Sequence, residues 1–342
     1  MAQLRVGIDS YCLNPLRMDP FAILEWVEEQ GGEGVQFSEV HLPPGREMDE
    51  GILGELAGAA RNAGMYLEWG GGQHIPYDTA TWKPKDLMPV NRRAAEEASV
   101  LGAAMIRSCS GGFFRWSDEA PSTEELLSAA AAALRPQGPI FQDLGVTLAL
   151  ELHFEFTTFE LLRLFEMCDA EPGGWLGICL DTFNMLPMLE DPVLGTERAL
   201  PWVVSTHVKD GGVALDGDGL LTFPTAAGEG SVDFPSILAL LRTLERPVNL
   251  SVEDHGGSFR TPFTHEGFLS RFPDLTAREL SRLVSAGVYG RERMERGELT
   301  VTSRDEWPGL CQERTGRGLR NVRRLAREAA ADASRPSEAA DS

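Results

Sequence analysis

VTLALELHF, residues 146–154, is a short run of apolar and β-forming residues that ends in two ionisable side chains, Glu151 and His153. Its length and composition predict a buried β-strand. Three later segments repeat this design: LGICLDTF (176–183) carries Asp181, WVVSTHVKD (202–210) carries His207, and PVNLSVEDHG (247–256) carries Glu253. Apolar strands that repeatedly end in a carboxylate or an imidazole predict one shared polar site at the ends of parallel strands.

Four similar segments precede these: RVGIDSYCL (5–13), GVQFSEV (34–40), YLEWGGG (66–72) and AAMIRSCSG (103–111). Stretches with helical character lie between the strands, over residues 21–30, 52–64, 90–103, 122–134, 157–168 and 233–245. Eight strands that alternate with helices predict an α/β fold of the (β/α)8 TIM-barrel type. The alternative is an open doubly wound sheet, which usually carries a G-x-G-x-x-G turn after its first strand, and VGIDSYCLNP lacks that turn.

The chain divides by composition into three parts. Residues 1–300 are predicted to form a single catalytic barrel domain, 301–330 a C-terminal helical extension, and 331–342 a disordered tail of small and polar residues. The basic stretch 312–330 is expected to pack on the outside of the barrel or on a partner subunit. Residues 211–230 and 257–275 are predicted to be long loops after the seventh and eighth strands, at the end of the barrel that carries function.

Composition restricts the partners of this 342-residue chain. It has 52 acidic and 31 basic residues, a formal charge of −21, which argues against nucleic acid and anionic membrane surfaces. Its five cysteines form no C-x-x-C pair and are expected to be reduced. No secretory signal or membrane-spanning run is visible, so we expect a cytoplasmic protein. Its partners are expected to be a small sugar-like substrate and either further copies of the chain or a small partner subunit.

The four strand-end residues Glu151, Asp181, His207 and Glu253 predict a site for one divalent metal ion. Several buried charges brought together without a counter-ion would cost several kcal/mol per ion, and a dication removes that cost. Oxygen and imidazole donors without a thiolate suit Mn²⁺ best, with Mg²⁺, Co²⁺ or Zn²⁺ as alternatives. Taken alone, Asp181 could equally be the N-cap of a helix.

The motifs LELH (150–153), CLDT (179–182), THVKD (206–210), GEGSVDF (228–234) and SVED (251–254) resemble the xylose isomerase-like TIM-barrel superfamily. This superfamily includes sugar-phosphate isomerases and epimerases, ketose 3-epimerases, hydroxypyruvate isomerase and inosose dehydratase. The resemblance implies that Glu151, Asp181, His207 and Glu253 bind the metal. It also matches a G-x-G-x-x-D/N-F loop to Gly228, Gly230, Asp233 and Phe234.

The sequence departs from this family at two positions. Many members have a histidine three residues after the strand-six aspartate, where this chain has Asn184. Conversely, His153 lies two residues after Glu151, so the period of a strand directs it to the same side. The resemblance to the large subunits of C-glycoside-cleaving enzymes, in which a histidine beside the metal deprotonates a 3-oxo-glycoside, makes His153 the candidate general base. The alternative is that His153 only orients a metal ligand.

Further residues are expected around the same cavity. Glu151, Glu253 and Lys209 are predicted to act in catalysis with His153, and Lys209 either stabilises negative charge on the substrate or pairs with Asp210. The predicted substrate contacts are Glu68, His74, Arg107, Asn184 and His255. Trp69, Trp116 and Phe183 are aromatic residues that could stack on a sugar ring or pack in the core.

These features predict a metal-dependent isomerase or epimerase that removes a proton next to the carbonyl of a keto-sugar or related polyol. A lyase of the same fold is the alternative, either a dehydratase or a C-glycoside deglycosidase acting on a 3-oxo-glycoside. A non-catalytic metal- or sugar-binding protein is the alternative of another class. Endonuclease IV of the same superfamily is disfavoured, because it needs many histidines and a basic surface, whereas this chain has six histidines and a charge of −21.

Overall fold

The computed structural model describes residues 2–109, 112–217 and 219–333. Eight parallel strands form a closed barrel in the order β1-β10-β7-β6-β5-β4-β3-β2. The barrel strands are β1 (Leu4–Asp9), β2 (Gly34–Phe37), β3 (Tyr66–Gly72), β4 (Met105–Ser108), β5 (Thr147–Glu151), β6 (Leu176–Asp181), β7 (Val203–Val208) and β10 (Val248–Val252). Three further strands, β8 (Asp210–Asp216), β9 (Gly219–Thr225) and β11 (Phe259–Thr261), form a separate sheet. The predicted TIM barrel is therefore confirmed.

Helices surround the barrel, and most follow a strand as predicted. They are α1 (Pro20–Glu29), α2 (Glu50–Asn62), α3 (Met88–Leu101), α4 (Thr123–Leu134), α5 (Gly138–Leu144), α6 (Thr158–Met167), α7 (Pro192–Ala199), α8 (Phe234–Arg242), α9 (Glu266–Leu269), α10 (Ala277–Glu295) and α11 (Trp307–Ala333). Capping side chains fix where several helices begin. At the start of α2, Asp49 accepts a hydrogen bond from Ile52 N, and at the start of α6, Thr157 forms a reciprocal capping box with Glu160.

The barrel strands are buried on both faces, which explains their continuous apolar sequences. Every residue of β6 is buried, and so is every residue of β2. The apolar core extends outward from the barrel to the facing sides of the helices, where Leu56, Leu164 and Ile237 are fully buried. Such close packing holds the strand ends, and the side chains that they carry, in fixed positions.

The two segments predicted to be long loops contain regular structure, so this expectation is corrected. β8 and β9 form an antiparallel hairpin, and β11 pairs with β9. Helix α10 packs on this sheet, where a Cβ on Gly290 would lie only 1.7 Å from the carbonyl oxygen of Val213. The glycine- and aspartate-rich sequence obscured the strands, because alternation is weak where both faces of a hairpin are covered.

Helix α11 covers the barrel between its last and first strands. It packs against β10, β1 and α8, the position that an eighth barrel helix takes. It continues through Ala333, so residues 331–333 are helical rather than part of the predicted disordered tail, whereas 334–342 lie outside the described residues. Across the part of the chain that the structure describes, none of the helices is both apolar enough and long enough to cross a membrane.

Candidate active site

Four side chains from neighbouring strand ends meet at the centre of the barrel. Each of Glu151, Asp181, His207 and Glu253 is buried and offers one ligand atom, and these atoms all lie within 4.8 Å of one another. Strand register produces this meeting, since Asp181 pairs with His207 across β6 and β7. The sequence-based expectation that these four residues come together agrees with the geometry.

Hydrogen bonds fix the orientation of the His207 ring. Its Nε2 contacts Gln36 Oε1 and lies 3.2 Å from Asp9 Oδ2, so Nε2 carries the proton and donates it. The opposite nitrogen, Nδ1, makes no hydrogen bond within the described residues and lies 3.3 Å from both Glu151 Oε1 and Glu253 Oε2. Nδ1 therefore faces the carboxylate cluster, and its lone pair would be available to a metal when the ring is neutral.

Basic side chains keep two of the carboxylates ionised. Arg107 Nη1 lies 2.5 Å from Glu151 Oε2, and Lys209 Nζ lies 3.1 Å from Glu253 Oε2. Burial opposes the ionisation of both acids, but His207 and Arg107 still hold the pKa of Glu151 below its ordinary value. Against the same burial, Lys209 and His207 hold the pKa of Glu253 well below its ordinary value. Both acids are thus present as carboxylates, the form that binds metal.

Asp181 both caps a turn and faces the cluster. Its Oδ1 accepts hydrogen bonds of 2.8 Å from the backbone N–H groups of Phe183 and Asn184. Its Oδ2 accepts a 2.7 Å hydrogen bond from the Asn184 side chain and lies 3.7 Å from Lys209 Nζ. The two interpretations of Asp181 are therefore compatible, since one oxygen caps and the other faces Lys209. Asn184 was predicted to contact the substrate; in the structure it lines the cavity, and its side chain orients the Asp181 carboxylate.

These residues fit a bound dication. Three buried carboxylates with a single imidazole present hard oxygen donors and one nitrogen donor, which suits Mn²⁺, Mg²⁺, Co²⁺ or Zn²⁺. Among the buried polar atoms of the cluster, His207 Nδ1 makes no hydrogen bond with the described residues, whereas Glu253 Oε2 has its ion pair with Lys209. A buried polar atom without a hydrogen bond is unfavourable, and coordination of a metal would satisfy His207 Nδ1.

A cavity of about 570 Å³ opens beside the cluster at the carboxyl ends of the strands. Its size is in the range of small-molecule sites. Predicted site residues that line it are Arg107, Glu151, His153, Asn184, Lys209, Glu253 and His255. Lys209 pairs with Glu253 rather than with Asp210, which was the alternative partner. Burial lowers the pKa of His255 to about 4, so this imidazole is neutral.

His153 has a buried acid behind it. Its Nδ1 lies 3.3 Å from Glu155 Oε2, and Glu155 also accepts a 3.3 Å hydrogen bond from the backbone N–H of Gly112. Burial disfavours the charged ring, but Glu155 and Glu151 outweigh it and raise the pKa of His153 above its ordinary value. Glu155 was not among the predicted site residues, although it continues the two-residue spacing of Glu151 and His153 and could have been found from that spacing.

Glu68 and His74 do not line the cavity, in contrast to their predicted role as substrate contacts. Glu68 lies in the barrel interior, where its carboxylate accepts hydrogen bonds of 2.7 Å from Gln36 Nε2 and 2.9 Å from Asn249 Nδ2. Burial raises the pKa of Glu68 to about 7. His74 is fully buried and its Nδ1 lies 2.7 Å from Ser108 Oγ. Both side chains point toward neighbouring strands because the barrel interior is filled with side chains.

An aromatic wall of three phenylalanines forms one side of the cavity, and none of the three was predicted. Phe113, Phe154 and Phe259 stack on one another with ring centroids 4.9–5.2 Å apart, and all three line the cavity. Phe183 also lines it, in agreement with a possible stacking role. Trp116 packs behind the three rings, and Trp69 is buried with its Nε1 donating to Glu97. These two tryptophans are packing residues.

The glycine motif after β9 is held by Asp210. The carboxylate of Asp210 accepts backbone hydrogen bonds from Gly228, Gly230 and Val232, at 2.8–3.1 Å. Gly228 has φ +88°, and a Cβ on Gly230 would lie 2.2 Å from the Asp210 carboxylate. In the same motif Asp233 caps α8 and Phe234 is buried. The motif therefore anchors a loop between the hairpin and α8.

Comparison with known proteins identifies the fold family. Residues 24–271 match the family described as xylose isomerase-like TIM barrel. This chain belongs to that family. The family resemblance stated from the sequence motifs is thereby confirmed over most of the chain.

Curated relatives of this family member have several activities. This chain is 29% identical over 152 residues to 3-oxo-isoapionate decarboxylase of Pectobacterium atrosepticum, and the match covers 44% of this chain and 54% of that protein. It is 28% identical over 266 residues to 2-epi-5-epi-valiolone 7-phosphate 2-epimerase of an Actinoplanes strain, covering 75% of this chain and 91% of that one. The chain thus matches about half the length of the first relative.

Solved structures share the fold at low sequence identity. L-ribulose 3-epimerase is 19% identical with a TM-score of 0.52, and the match covers 86% of this chain and 97% of that one. A probable 3-DHS dehydratase from Bacillus anthracis is 16% identical with a TM-score of 0.55, covering 73% of this chain and 92% of that one. Epimerases and a dehydratase therefore share this architecture, and at such identities the likeness establishes the fold alone.

Proposed function

We propose that this chain is a metal-dependent isomerase or epimerase that removes a proton next to the carbonyl of a keto-sugar or related polyol. One observation carries the proposal: His153, with Glu155 behind it, lines the same cavity as Glu151 and Glu253, two members of the buried four-residue cluster. A base beside a dication site is the arrangement that enolisation of a hydroxyketone requires. The activities named for the relatives and structural neighbours are compatible with this chemistry.

Glu151, Asp181, His207 and Glu253 would hold the metal. When bound, a dication supplies Lewis acidity that stabilises negative charge on a carbonyl oxygen. His153 would accept the proton from the carbon next to the carbonyl, while Glu155 orients its ring and stabilises the resulting imidazolium. Lys209, whose pKa the neighbouring Glu253 and Asp181 raise despite its burial, remains a cation that can donate to a substrate oxygen. Return of the proton to a different carbon or face completes isomerisation or epimerisation.

A lyase acting on a 3-oxo-glycoside is the second candidate, and the aromatic wall favours it. Phe113, Phe154 and Phe259 offer an apolar aromatic surface beside the base, which suits a glycoside with an aromatic aglycone better than a free sugar. In this reaction His153 removes the proton next to the 3-oxo group. The group on the β carbon then leaves with the electron pair of the broken bond.

Deuterium exchange tests the proposal and separates the candidates. Metal-loaded protein would be incubated in D₂O with a panel of keto-sugars and 3-oxo-glycosides, and products would be followed by NMR and mass spectrometry. Deuterium next to the carbonyl together with an isomer or epimer would support the first candidate, and a released aglycone or dehydrated sugar the second. Retained metal without exchange on any member would instead indicate a non-catalytic metal- or sugar-binding protein.

A further inference from the structure

The segment before α11 is fastened to the loop that follows the metal-ligand strand β10. Arg314 binds both carboxylate oxygens of Asp254, at 2.7 and 2.5 Å, in a buried ion pair, and it donates to Thr302 Oγ1 at 2.8 Å. The N–H of Gly257 donates to Thr302 O at 2.8 Å. A Cβ on Gly256 would lie 2.4 Å from Ser303 O, so only glycine allows this approach. The C-terminal segment is therefore a fixed wall of the active-site end.

This fixed segment presents Arg304 to the cavity. Ser303 and Glu306 form a capping box at the start of α11, with Ser303 N donating to Glu306 Oε2 at 2.8 Å and Glu306 N donating to Ser303 Oγ at 3.2 Å. Arg304 lies between them and lines both the main cavity and a smaller adjoining cavity. Gly257, with φ +115°, leaves room for it, since a Cβ there would lie 3.1 Å from Arg304 Nε.

Arg304 differs from the other two cations that line the cavity. Arg107 pairs with Glu151, and Lys209 pairs with Glu253. Arg304 forms neither an ion pair nor a side-chain hydrogen bond within residues 2–109, 112–217 and 219–333. The hydroxyl of the neighbouring Tyr11 likewise makes no hydrogen bond within these residues. In a chain with 52 acidic and 31 basic residues, a cation without a carboxylate partner at a cavity rim offers local attraction for an anion.

We propose that Arg304 determines substrate specificity by binding an anionic group, a carboxylate or a phosphate, on the part of the substrate that lies away from the reacting carbon. This inference rests on the proposed function for the site, and it adds the substrate class. The guanidinium matches carboxylate and phosphate oxygens in a two-point geometry, and Tyr11 Oη can supply a third donor. The C-terminal segment would then belong to the active site as a recognition element.

Binding of matched probes tests this proposal without requiring turnover. D-fructose, D-fructose 6-phosphate and D-fructuronate share a ketone-bearing chain and end in a hydroxyl, a phosphate and a carboxylate. Their Kd values would be measured by titration calorimetry with the full-length Mn²⁺-loaded protein, its Arg304→Gln and Arg304→Lys variants, and Arg278→Gln as a control for an exposed arginine outside the cavity. Metal content would be measured for each variant.

In the wild-type protein we expect at least one anionic probe to bind about 10–100-fold more tightly than fructose, the gain typical of charge-assisted hydrogen bonds. Arg304→Gln should abolish this preference while retaining metal and fructose affinity, Arg304→Lys should keep part of it, and Arg278→Gln all of it. The probe with the larger Arg304-dependent gain identifies the anion. If neither anion is preferred by the wild type, or if Arg304→Gln keeps the preference because the anion binds the metal directly, the proposal is wrong. Because deuterium exchange is measured separately, failure of the proposed reaction would be recognised independently.

Discussion

Strands β5, β6, β7 and β10 bring the four candidate metal ligands to the barrel centre, whereas β1, β2, β3 and β4 contribute side chains that hold those ligands. Asp9 and Gln36 contact the His207 ring, Glu68 binds Gln36, and Arg107 pairs with Glu151. One half of the barrel therefore supplies the donor atoms, and the other half sets their orientation and charge. Loss of a residue that donates a ligand atom and loss of a residue that only orients a ligand should therefore reduce metal binding to different extents.

The largest effect is expected in the ligand half. Glu253→Gln removes a carboxylate from the cluster, so the protein should lose bound metal and its proton exchange should fall to background. Metal analysis and deuterium incorporation would measure both, with Glu245→Gln, an exposed acid that precedes β10, as the matched control. Full metal content in the Glu253→Gln protein would contradict the assignment of this ligand.

The next largest effect is expected at the candidate base, which lies beyond the ligands on the segment after β5. His153→Ala should retain the metal and lose about 10²–10⁴-fold in exchange rate, the usual contribution of a general base. Glu155→Gln should reduce the rate less, since it keeps the hydrogen bond and loses the charge. His265→Ala, outside the cavity lining, should be unaffected.

The same variant also tests a different role for His153. One ligand atom from each of Cys109, His153 and Glu155 lies within 4.8 Å of the others. If His153→Ala lost a metal equivalent, His153 would be a ligand of a second ion rather than the base. An unchanged exchange rate would remove it from the mechanism altogether.

A smaller effect is expected in the supporting half. Gln36→Leu removes one of the two acceptors for His207 Nε2–H and leaves Asp9 alone, so the ring is held less firmly and metal affinity should fall about 10–100-fold. Competition with a chelator of known affinity would measure the change, with Gln312→Leu on the exposed side of α11 as the control. Unchanged affinity would show that the Gln36 contact does not support His207 as a ligand.

The smallest effect is expected one step further from the metal. Glu68→Gln keeps a side chain of the same shape beside Gln36 and changes only its charge and one hydrogen-bond partner. Its metal affinity should fall less than that of Gln36→Leu when both are measured by the same chelator competition. A larger fall for Glu68→Gln than for Gln36→Leu would mean that charge in the barrel interior, rather than orientation of the His207 ring, controls binding.

Local sequence was sufficient for the barrel and for the four converging residues. Strand and helix periodicity is a property of neighbouring residues, and the carboxyl ends of parallel strands must lie at the same end of a barrel. Glu151, Asp181, His207 and Glu253 could therefore be grouped before any contact was known. The hairpin of β8 and β9 was missed because its glycine-rich strands lack a clear alternation.

Only the tertiary structure decided which side chains support the ligands and which complete the cavity. Gln36 meets His207 across 171 positions of sequence, and the guanidinium of Arg314 reaches Asp254 across 60. The same folding placed Arg304 at the cavity and turned Glu68 and His74 away from it. Such contacts depend on how strands and helices pack around the closed barrel, and no periodicity or spacing within one segment records that packing.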